Sequence, residues 1–178
     1  MAISTTTMER PQAGEYAPFY ERYISQVQGD DILATLDEQR RQMLLLLSGC
    51  SEADGDIRYA EGKWSVKEVI GHICDAERIF LYRALRIARG DATPLSGFDE
   101  NEYMKSAPFS KLPLQDLIEE FIAVRRASLS LFRALDAEAW TRRGVANQNQ
   151  VTVRGLAYIV AGHELHHRRI LQERYLKR

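Results

Sequence analysis

The stretch TVRGLAYIVAGHELHHRRILQERY, residues 152–175, contains the apolar pattern that decides the fold. Its apolar residues recur three and four positions apart, which is the period of one face of an α-helix. Continuing the same rhythm brings His163 and His167 onto this face. Its aliphatic members are Leu156, Ile159, Val160, Ile170 and Leu171. The stretch therefore predicts a long amphipathic helix whose buried face carries two histidines.

Three further stretches upstream show the same helical period. They span residues 31–48, 65–89 and 114–135. Asp31 is a candidate N-cap for the first, and Ser65 with Glu68 gives the second a capping-box sequence. Gly90 follows the second stretch as a natural helix-ending residue. No run alternates apolar and polar residues convincingly enough to predict a strand. Four amphipathic helices of this length predict an all-α protein that folds as a four-helix bundle.

The longest connection joins the second and third predicted helices, over residues 91–113. An extended chain advances about 3.3 Å per residue and a helix about 1.5 Å, so this connection can run the whole length of a helix. These two helices can therefore be parallel, which gives an up-down-down-up bundle. Long loops are often functional, and residues 91–112 are candidates to close over a substrate pocket. The acidic part around Asp99 and Glu100 is interpreted as solvated, with a lid as the alternative.

Composition and charge exclude several classes of protein. The net charge of −1 gives no general attraction to nucleic acid or to an anionic membrane. The sequence lacks a signal-peptide pattern and any apolar run near the roughly 20 residues of a membrane span. Cys50 and Cys74 suggest no disulfide framework. We therefore expect a cytoplasmic protein without nucleic-acid or membrane partners. It should comprise an N-terminal segment with a short helix packed on the body, residues 1–28, and the bundle, residues 29–178.

The fourth histidine, His72, lies on the inward face of the second predicted helix, about two turns from its start. His167 lies about two turns before the end of the last helix. If these helices are antiparallel, His72, His163 and His167 converge at one end of the bundle. Three imidazoles without a fourth protein ligand leave open coordination positions, which is typical of a catalytic metal site. Asp75, one turn after His72, is a candidate to orient a ligating ring or a metal-bound water.

Two alternatives to this metal site follow from the same residues. A histidine on a partly apolar helix face is often a hydrogen-bonded packing residue, so a structural role stays open. The sequence HELHH also matches the H-E-x-x-H pattern of zinc proteases. The longer protease pattern requires a glycine and a third histidine where this chain has Ile170 and Glu173. We therefore interpret Glu164 as a surface residue rather than a general base.

The charged residues of the predicted helices are assigned to solvent. Arg168 and Arg169 mark the solvent side of the last helix. Arginines on the second helix are interpreted as a solvated face, with a role in holding an anionic substrate as the alternative. They are Arg83, Arg86 and Arg89.

Several short motifs in this order resemble the DinB/YfiT-like family. They are WS at 64–65, GHICDAE at 71–77 and GHELHH at 162–167. The resemblance implies an up-down-down-up four-helix bundle, often dimeric, with a divalent metal, commonly nickel or zinc, on three histidines. Carried over by residue, these are His72, His163 and His167.

The resemblance also limits the expected function. Relatives include metal-dependent hydrolases of unknown substrate and transferases that use bacillithiol or mycothiol. It therefore implies an enzyme that hydrolyses a small molecule, or one that transfers a low-molecular-weight thiol, as co-substrate, to an electrophile. A homodimer is also expected. A non-catalytic metal- or ligand-binding bundle, acting as an interaction module, is the alternative.

Overall fold

A computed structural model describes residues 9–176. Part of the predicted N-terminal segment, residues 1–8, lies outside the described residues. The helices are α1 (Glu21–Ile24), α2 (Ile32–Leu47), α3 (Glu52–Gly55), α4 (Val66–Ala88), α5 (Glu100–Ser106), α6 (Leu114–Arg133), α7 (Ala137–Thr141) and α8 (Val153–Ile170). The strands are β1 (Arg143–Ala146) and β2 (Asn149–Thr152), and a π-helical turn, Leu171–Tyr175, extends α8. The four long predicted helices are therefore confirmed as α2, α4, α6 and α8.

The helix ends follow the capping residues that the sequence contains. Asp31 accepts hydrogen bonds from the first backbone amides of α2, and Ser65 and Glu68 form a reciprocal capping box at the start of α4. Such caps satisfy amides that have no partner within the helix. Gly90 adopts a φ of +80° just after α4, a conformation that favours glycine. Thr152 caps α8 by accepting a hydrogen bond from the amide of Gly155.

Two clusters of buried side chains fill the bundle and define its topology. The first contains Ile32 from the start of α2, Ile87 and Phe132 from the ends of α4 and α6, and Leu156 from the start of α8. The second contains Leu47 from the end of α2, Val66 and Leu114 from the starts of α4 and α6, and Leu171 just beyond α8. Hence α2 and α8 run in one direction and α4 and α6 in the other. This up-down-down-up order confirms the prediction.

A buried polar network ties the four long helices together at the middle of the bundle. Arg125 of α6 is 0% exposed and donates three hydrogen bonds to Glu77 of α4, with Nε–Oε1 at 2.8 Å, Nε–Oε2 at 3.1 Å and Nη2–Oε2 at 2.9 Å. Ser128 donates to Glu77 at 2.7 Å. Gln39 of α2 accepts from Arg125 and donates to the carbonyl of Ala161 in α8 at 2.9 Å. We call Gln39, Glu77, Arg125 and Ser128 the Arg125 network.

The sequence-based expectation that the chain contains no strand is wrong. Strands β1 and β2 pair antiparallel, with Ala146 opposite Asn149 at the turn. The two turn residues, Asn147 and Gln148, both have positive φ, as a tight two-residue hairpin turn requires. Leu95 forms a further bridge to Ala146 and so ties the long connection to the hairpin. The strands are only four residues long, too short to show a period of their own.

Two segments outside the long helices lie against the bundle. Helix α1 packs on α8. The connection over residues 91–113, predicted as a loop, contains α5 and a 3₁₀ turn, Phe109–Lys111. Asp99 is the N-cap of α5. None of the helices within residues 9–176 is both long and apolar enough to cross a membrane.

Candidate metal centre and its cavity

The structure brings His72, His163 and His167 together. His72 projects from the second turn of α4, and the other two lie one turn apart on α8, as the antiparallel arrangement of these helices requires. The Nε2 atom of His163 lies 3.0 Å from Nε2 of His72 and 3.2 Å from Nε2 of His167. One nitrogen from each ring falls within 4.8 Å of the other two. We call these three residues the histidine cluster.

The three imidazoles are neutral at physiological pH. Burial lowers the pKa of His72 to about 4. Burial also lowers the pKa values of His163 and His167 well below the usual 6.5, and the neighbouring imidazoles lower them further. Neutral imidazole is the form that binds a metal ion, because its second nitrogen then has a free lone pair.

The spacing of the three nitrogens fits one metal ion. Ligand nitrogens about 2.0–2.1 Å from a tetrahedral zinc ion lie about 3.3 Å from each other. The two closest pairs in the histidine cluster are near this distance. Nitrogens this close are otherwise held only by a hydrogen bond between rings. A divalent metal with imidazole preference therefore fits His72, His163 and His167, and zinc, nickel, iron and copper all share that preference.

Aromatic side chains hold the cluster from three sides. Trp64 packs its ring on His72 with 4.8 Å between centroids. Tyr23 and Phe80 make edge contacts with His163 at 5.7 and 6.1 Å. These rings limit rotation of the imidazoles and keep their polar edges turned toward one another.

Gly162 permits the contact between the N-terminal segment and the cluster. A Cβ atom at this position would lie well inside contact distance of the carbonyl oxygen of Tyr23. Because glycine has no Cβ, α1 approaches α8 closely and the ring of Tyr23 reaches His163 and His166. The glycine before His163 thus has a packing function that helical periodicity does not reveal.

The histidine cluster opens into a cavity of about 380 Å³. Much of the wall is aromatic: Phe19, Tyr20, Tyr23, Trp64, Phe80 and Phe98. Its amide groups come from the hairpin, at Asn147, Asn149 and Gln150. The charged residues of the wall are Arg22, Arg83 and Glu100. A small, mostly apolar cavity with a few polar groups is typical of a site for a small organic molecule.

Sequence reasoning missed most of these cavity residues. The N-terminal segment, the long connection and the hairpin meet there through contacts that are distant in sequence, and a local period cannot indicate them. One signal was present in α4: Ala76, Phe80 and Arg83 continue the face of His72 at helical spacing. Residues 91–112 contribute Phe98 and Glu100 to the wall.

The structure does not bring Asp75 to the histidine cluster. Its carboxylate lies 3.7 Å from Arg78 of the same helix, and Arg78 also pairs with Glu120 of α6. Partial burial raises the pKa of Asp75. It is absent from the cavity wall as the described residues form it. Its role in orienting a ligand therefore stays a prediction that no observed contact supports.

The assignment of Glu164 to the surface is wrong. Its side chain is 0% exposed, and Oε1 accepts a hydrogen bond from Arg168 at 2.9 Å. Burial raises the pKa of Glu164 to about 7. Arg168 is consequently buried as well, whereas Arg169 is exposed as predicted. The i, i+4 spacing of opposite charges lets this pair enter the interior together.

The assignment of Arg83 to a solvated face is also wrong. Arg83 is 3% exposed and lies in the cavity wall. Arg86 is half-buried and pairs with Asp91, and Arg89 is exposed. Of these three arginines, Arg83 alone lies in the cavity wall; Arg86 lies one turn further along α4, where it pairs with Asp91 instead.

Comparison with known proteins gives consistent results. The chain is 25% identical over 166 residues to a predicted metal-dependent hydrolase from Bacillus pumilus (strain SAFR-032), covering 91% of each chain. YfiT from Bacillus subtilis, described as a probable metal-dependent hydrolase with an unusual four-helix bundle topology, superimposes with a TM-score of 0.69 and 14% identity. That match covers 89% of this chain and 87% of YfiT.

A second solved structure shares the fold. The mycothiol-dependent maleylpyruvate isomerase superimposes with a TM-score of 0.66 and 15% identity, covering 81% of this chain and 61% of that one. The family model of the DinB superfamily matches residues 35–171, which include the histidine cluster and most of the bundle. With this match and the up-down-down-up helices, the chain belongs to the DinB superfamily.

Proposed function

We propose that this chain is a metal-dependent enzyme that hydrolyses a small-molecule substrate in the cavity beside the histidine cluster. The observation that carries the proposal is the meeting of three neutral imidazoles, from two helices, at the wall of a cavity. His72, His163 and His167 would hold a divalent ion, nickel or zinc. The relation to a predicted metal-dependent hydrolase supports this function.

The surrounding residues limit how the reaction can proceed. A divalent metal ion held there would lower the pKa of a bound water or thiol and so supply a nucleophile near neutral pH. In residues 9–176 no carboxylate is hydrogen-bonded to the three rings, and Glu100, which is exposed, is the one carboxylate of the cavity wall. Activation of the nucleophile therefore depends on the ion rather than on a protein base. The aromatic walls exclude water from the apolar part of a substrate.

The same observation supports transfer of a low-molecular-weight thiol as a second candidate. A thiol loses its proton more readily than water does, so it needs no protein base once it binds a cation. The mycothiol-dependent isomerase shares this fold. The thiol would be a co-substrate, and the electrophile would lie on the aromatic wall.

Activity measurements on the metal-loaded protein test the proposal. One panel contains esters and amides, and a second contains electrophiles with and without bacillithiol or mycothiol. We expect turnover in one panel to be lost in His163→Ala and retained in His166→Ala, because His163 belongs to the histidine cluster and His166 does not. Turnover that is independent of metal, or equal in His163→Ala, contradicts the proposal. Metal binding without turnover in either panel favours a non-catalytic binding module.

We also propose an oligomeric state and a cellular location for this protein. The resemblance implies a homodimer, and the composition favours a cytoplasmic protein without nucleic-acid or membrane partners. Light scattering on the purified protein tests the first point: a mass twice that of one chain supports a homodimer, and the mass of one chain contradicts it.

A further inference from the structure

Arg83 is a buried cation in the cavity wall, and the described residues provide no acidic partner for it. It is 3% exposed, and no carboxylate in the described part of the chain forms an ion pair with it. The other two buried arginines differ, since Arg125 pairs with Glu77 and Arg168 pairs with Glu164. An isolated buried charge is costly, so such groups are normally paired.

The groups that contact Arg83 are neutral, and Glu100, the one carboxylate that the described residues place in the cavity wall, forms no ion pair with it. Its Nη2 atom donates to the carbonyl oxygen of Ser96 at 2.7 Å, and the hydroxyl of Tyr20 is a further polar neighbour. The guanidinium carbon lies 5.8 Å from the ring centroids of both Phe80 and Phe98. Carbonyl, hydroxyl and ring faces are all neutral. A guanidinium has five N–H donors in a fork that suits a carboxylate.

The position of Arg83 relative to the histidine cluster indicates how a ligand would lie. The ring of Phe80 lies near both groups: its centroid is 5.8 Å from the guanidinium carbon of Arg83 and 6.1 Å from the ring centroid of His163. A molecule that reaches from the cluster to Arg83 therefore passes beside this aromatic ring. The cavity of about 380 Å³ has room for a small organic acid in this orientation.

We propose that Arg83 binds the carboxylate of the substrate, so that the substrate is a small organic acid whose apolar part lies on Phe80 and whose reacting group faces the histidine cluster. This assignment rests on the proposed function for the reacting group, but the binding of the carboxylate itself does not. Arg22, which is exposed, adds a second cation to the cavity wall, where it stacks on Phe19 at 3.8 Å.

A purely structural role for Arg83 makes a different prediction. Its hydrogen bond to Ser96 ties the long connection to α4, and losing this bond alone would lower stability. It would not change the preference of the cavity for an anion over a neutral molecule of the same shape. The discrimination between charged and neutral ligands therefore separates the two roles.

Calorimetric binding to metal-free protein provides the test. The probes are 3-phenylpropanoate and 3-phenylpropanamide, which differ in charge but little in shape. We expect the wild type to bind the carboxylate at least about tenfold more tightly, which corresponds to one charge-assisted contact. In Arg83→Gln the ratio should fall to about one. In the matched variant Arg86→Gln it should be unchanged, because Arg86 pairs with Asp91 outside the cavity.

Two outcomes overturn the proposal: a wild type that does not prefer the carboxylate, or an Arg83→Gln variant that keeps the full preference. If Arg83→Gln does not fold, a crystal structure of the wild type with 3-phenylpropanoate decides the matter. The carboxylate must then lie within hydrogen-bond distance of Arg83, and any other position contradicts the assignment. Since these measurements use metal-free protein, their result is independent of whether the histidine cluster binds metal or supports turnover.

Discussion

The Arg125 network and the histidine cluster are both buried polar groups in the interior of one bundle, yet their chemistry differs. In the network, the guanidinium, the carboxylate, the hydroxyl and the amide satisfy one another and connect all four long helices. In the cluster, three neutral imidazoles face each other at the wall of an open cavity. The network is saturated, whereas the Nε2 atoms of the cluster contact one another and could instead bind a metal ion.

This difference separates stability from function. A saturated network leaves nothing for a ligand to bind, and its removal exposes a desolvated charge. An unsaturated cluster leaves no charge unpaired when one of its members is removed, and it offers lone pairs to a metal ion. Arg83 belongs with the cluster by the same criterion, since its charge is buried and unmatched.

The largest effect on stability is expected from breaking the network. Arg125→Met should lower the free energy of unfolding by about 3–5 kcal/mol, because Glu77 is left buried without its partner. Urea unfolding measures this loss. The double variant Arg125→Met/Glu77→Leu should recover most of it, since both charges are then absent. A single-variant loss of less than about 1 kcal/mol would show that the network is not structural.

Acid should weaken the metal-free protein through the histidine cluster. The pKa of His72 is lowered to about 4 in the folded protein, against 6.5 as its usual value. Below pH 6.5 the unfolded chain binds a proton at His72 that the folded protein does not bind. The free energy of unfolding therefore has its full value above pH 6.5. As the pH falls from 6.5 toward 4, it decreases by on the order of 1–3 kcal/mol.

Denaturation of metal-free protein at several pH values measures this effect. The variant His72→Gln should lose less stability than the wild type between pH 6.5 and 4, because glutamine does not titrate. Identical pH dependence in the two proteins would contradict a neutral, desolvated His72.

Gly162→Ala tests the packing that positions Tyr23 over the cluster. Alanine normally favours a helix over glycine by about 1 kcal/mol. Here the added Cβ meets the backbone of Tyr23, so we expect a net loss of about 1–3 kcal/mol instead. Thermal unfolding measures the sign. Stabilisation by Gly162→Ala would show that α1 moves away from α8 without cost.

The smallest effect is expected from removing one imidazole of the cluster. His163→Ala should lower the free energy of unfolding of the metal-free protein by about 1–2 kcal/mol, because it removes a buried ring that packs on Tyr23 and Phe80 but leaves no charge unpaired. Chemical denaturation in the presence of a chelator measures it. A loss as large as that of Arg125→Met would place the cluster with the structural network and remove the contrast between them.

The sequence predicted the bundle and the convergence of three histidines, because both depend on local information. Caps such as Asp31 and Ser65 define helix ends, and helical spacing defines which side chains share a face. The antiparallel arrangement of α4 and α8 then brings the histidines of the two helices to one level.

The remaining features depend on pairings between distant parts of the chain. From the sequence, Glu164 and Arg168 are assigned to solvent because both side chains are charged. Their ion pair, which allows both to be buried, is seen only in the folded structure. The hairpin depends on two residues with positive φ, Asn147 and Gln148, which are not glycine. The cavity wall needs α1, the long connection and the hairpin together, and no period within one helix predicts their meeting.

Metal content after reconstitution tests the central claim most directly. Purified wild type, His163→Ala and His166→Ala are loaded with nickel or zinc, freed of excess ion, and compared by elemental analysis. The account predicts about one ion per chain in the wild type and in His166→Ala, and none in His163→Ala. An empty wild type, or a His163→Ala variant that retains the ion in full, would contradict the assignment of the histidine cluster as a metal centre.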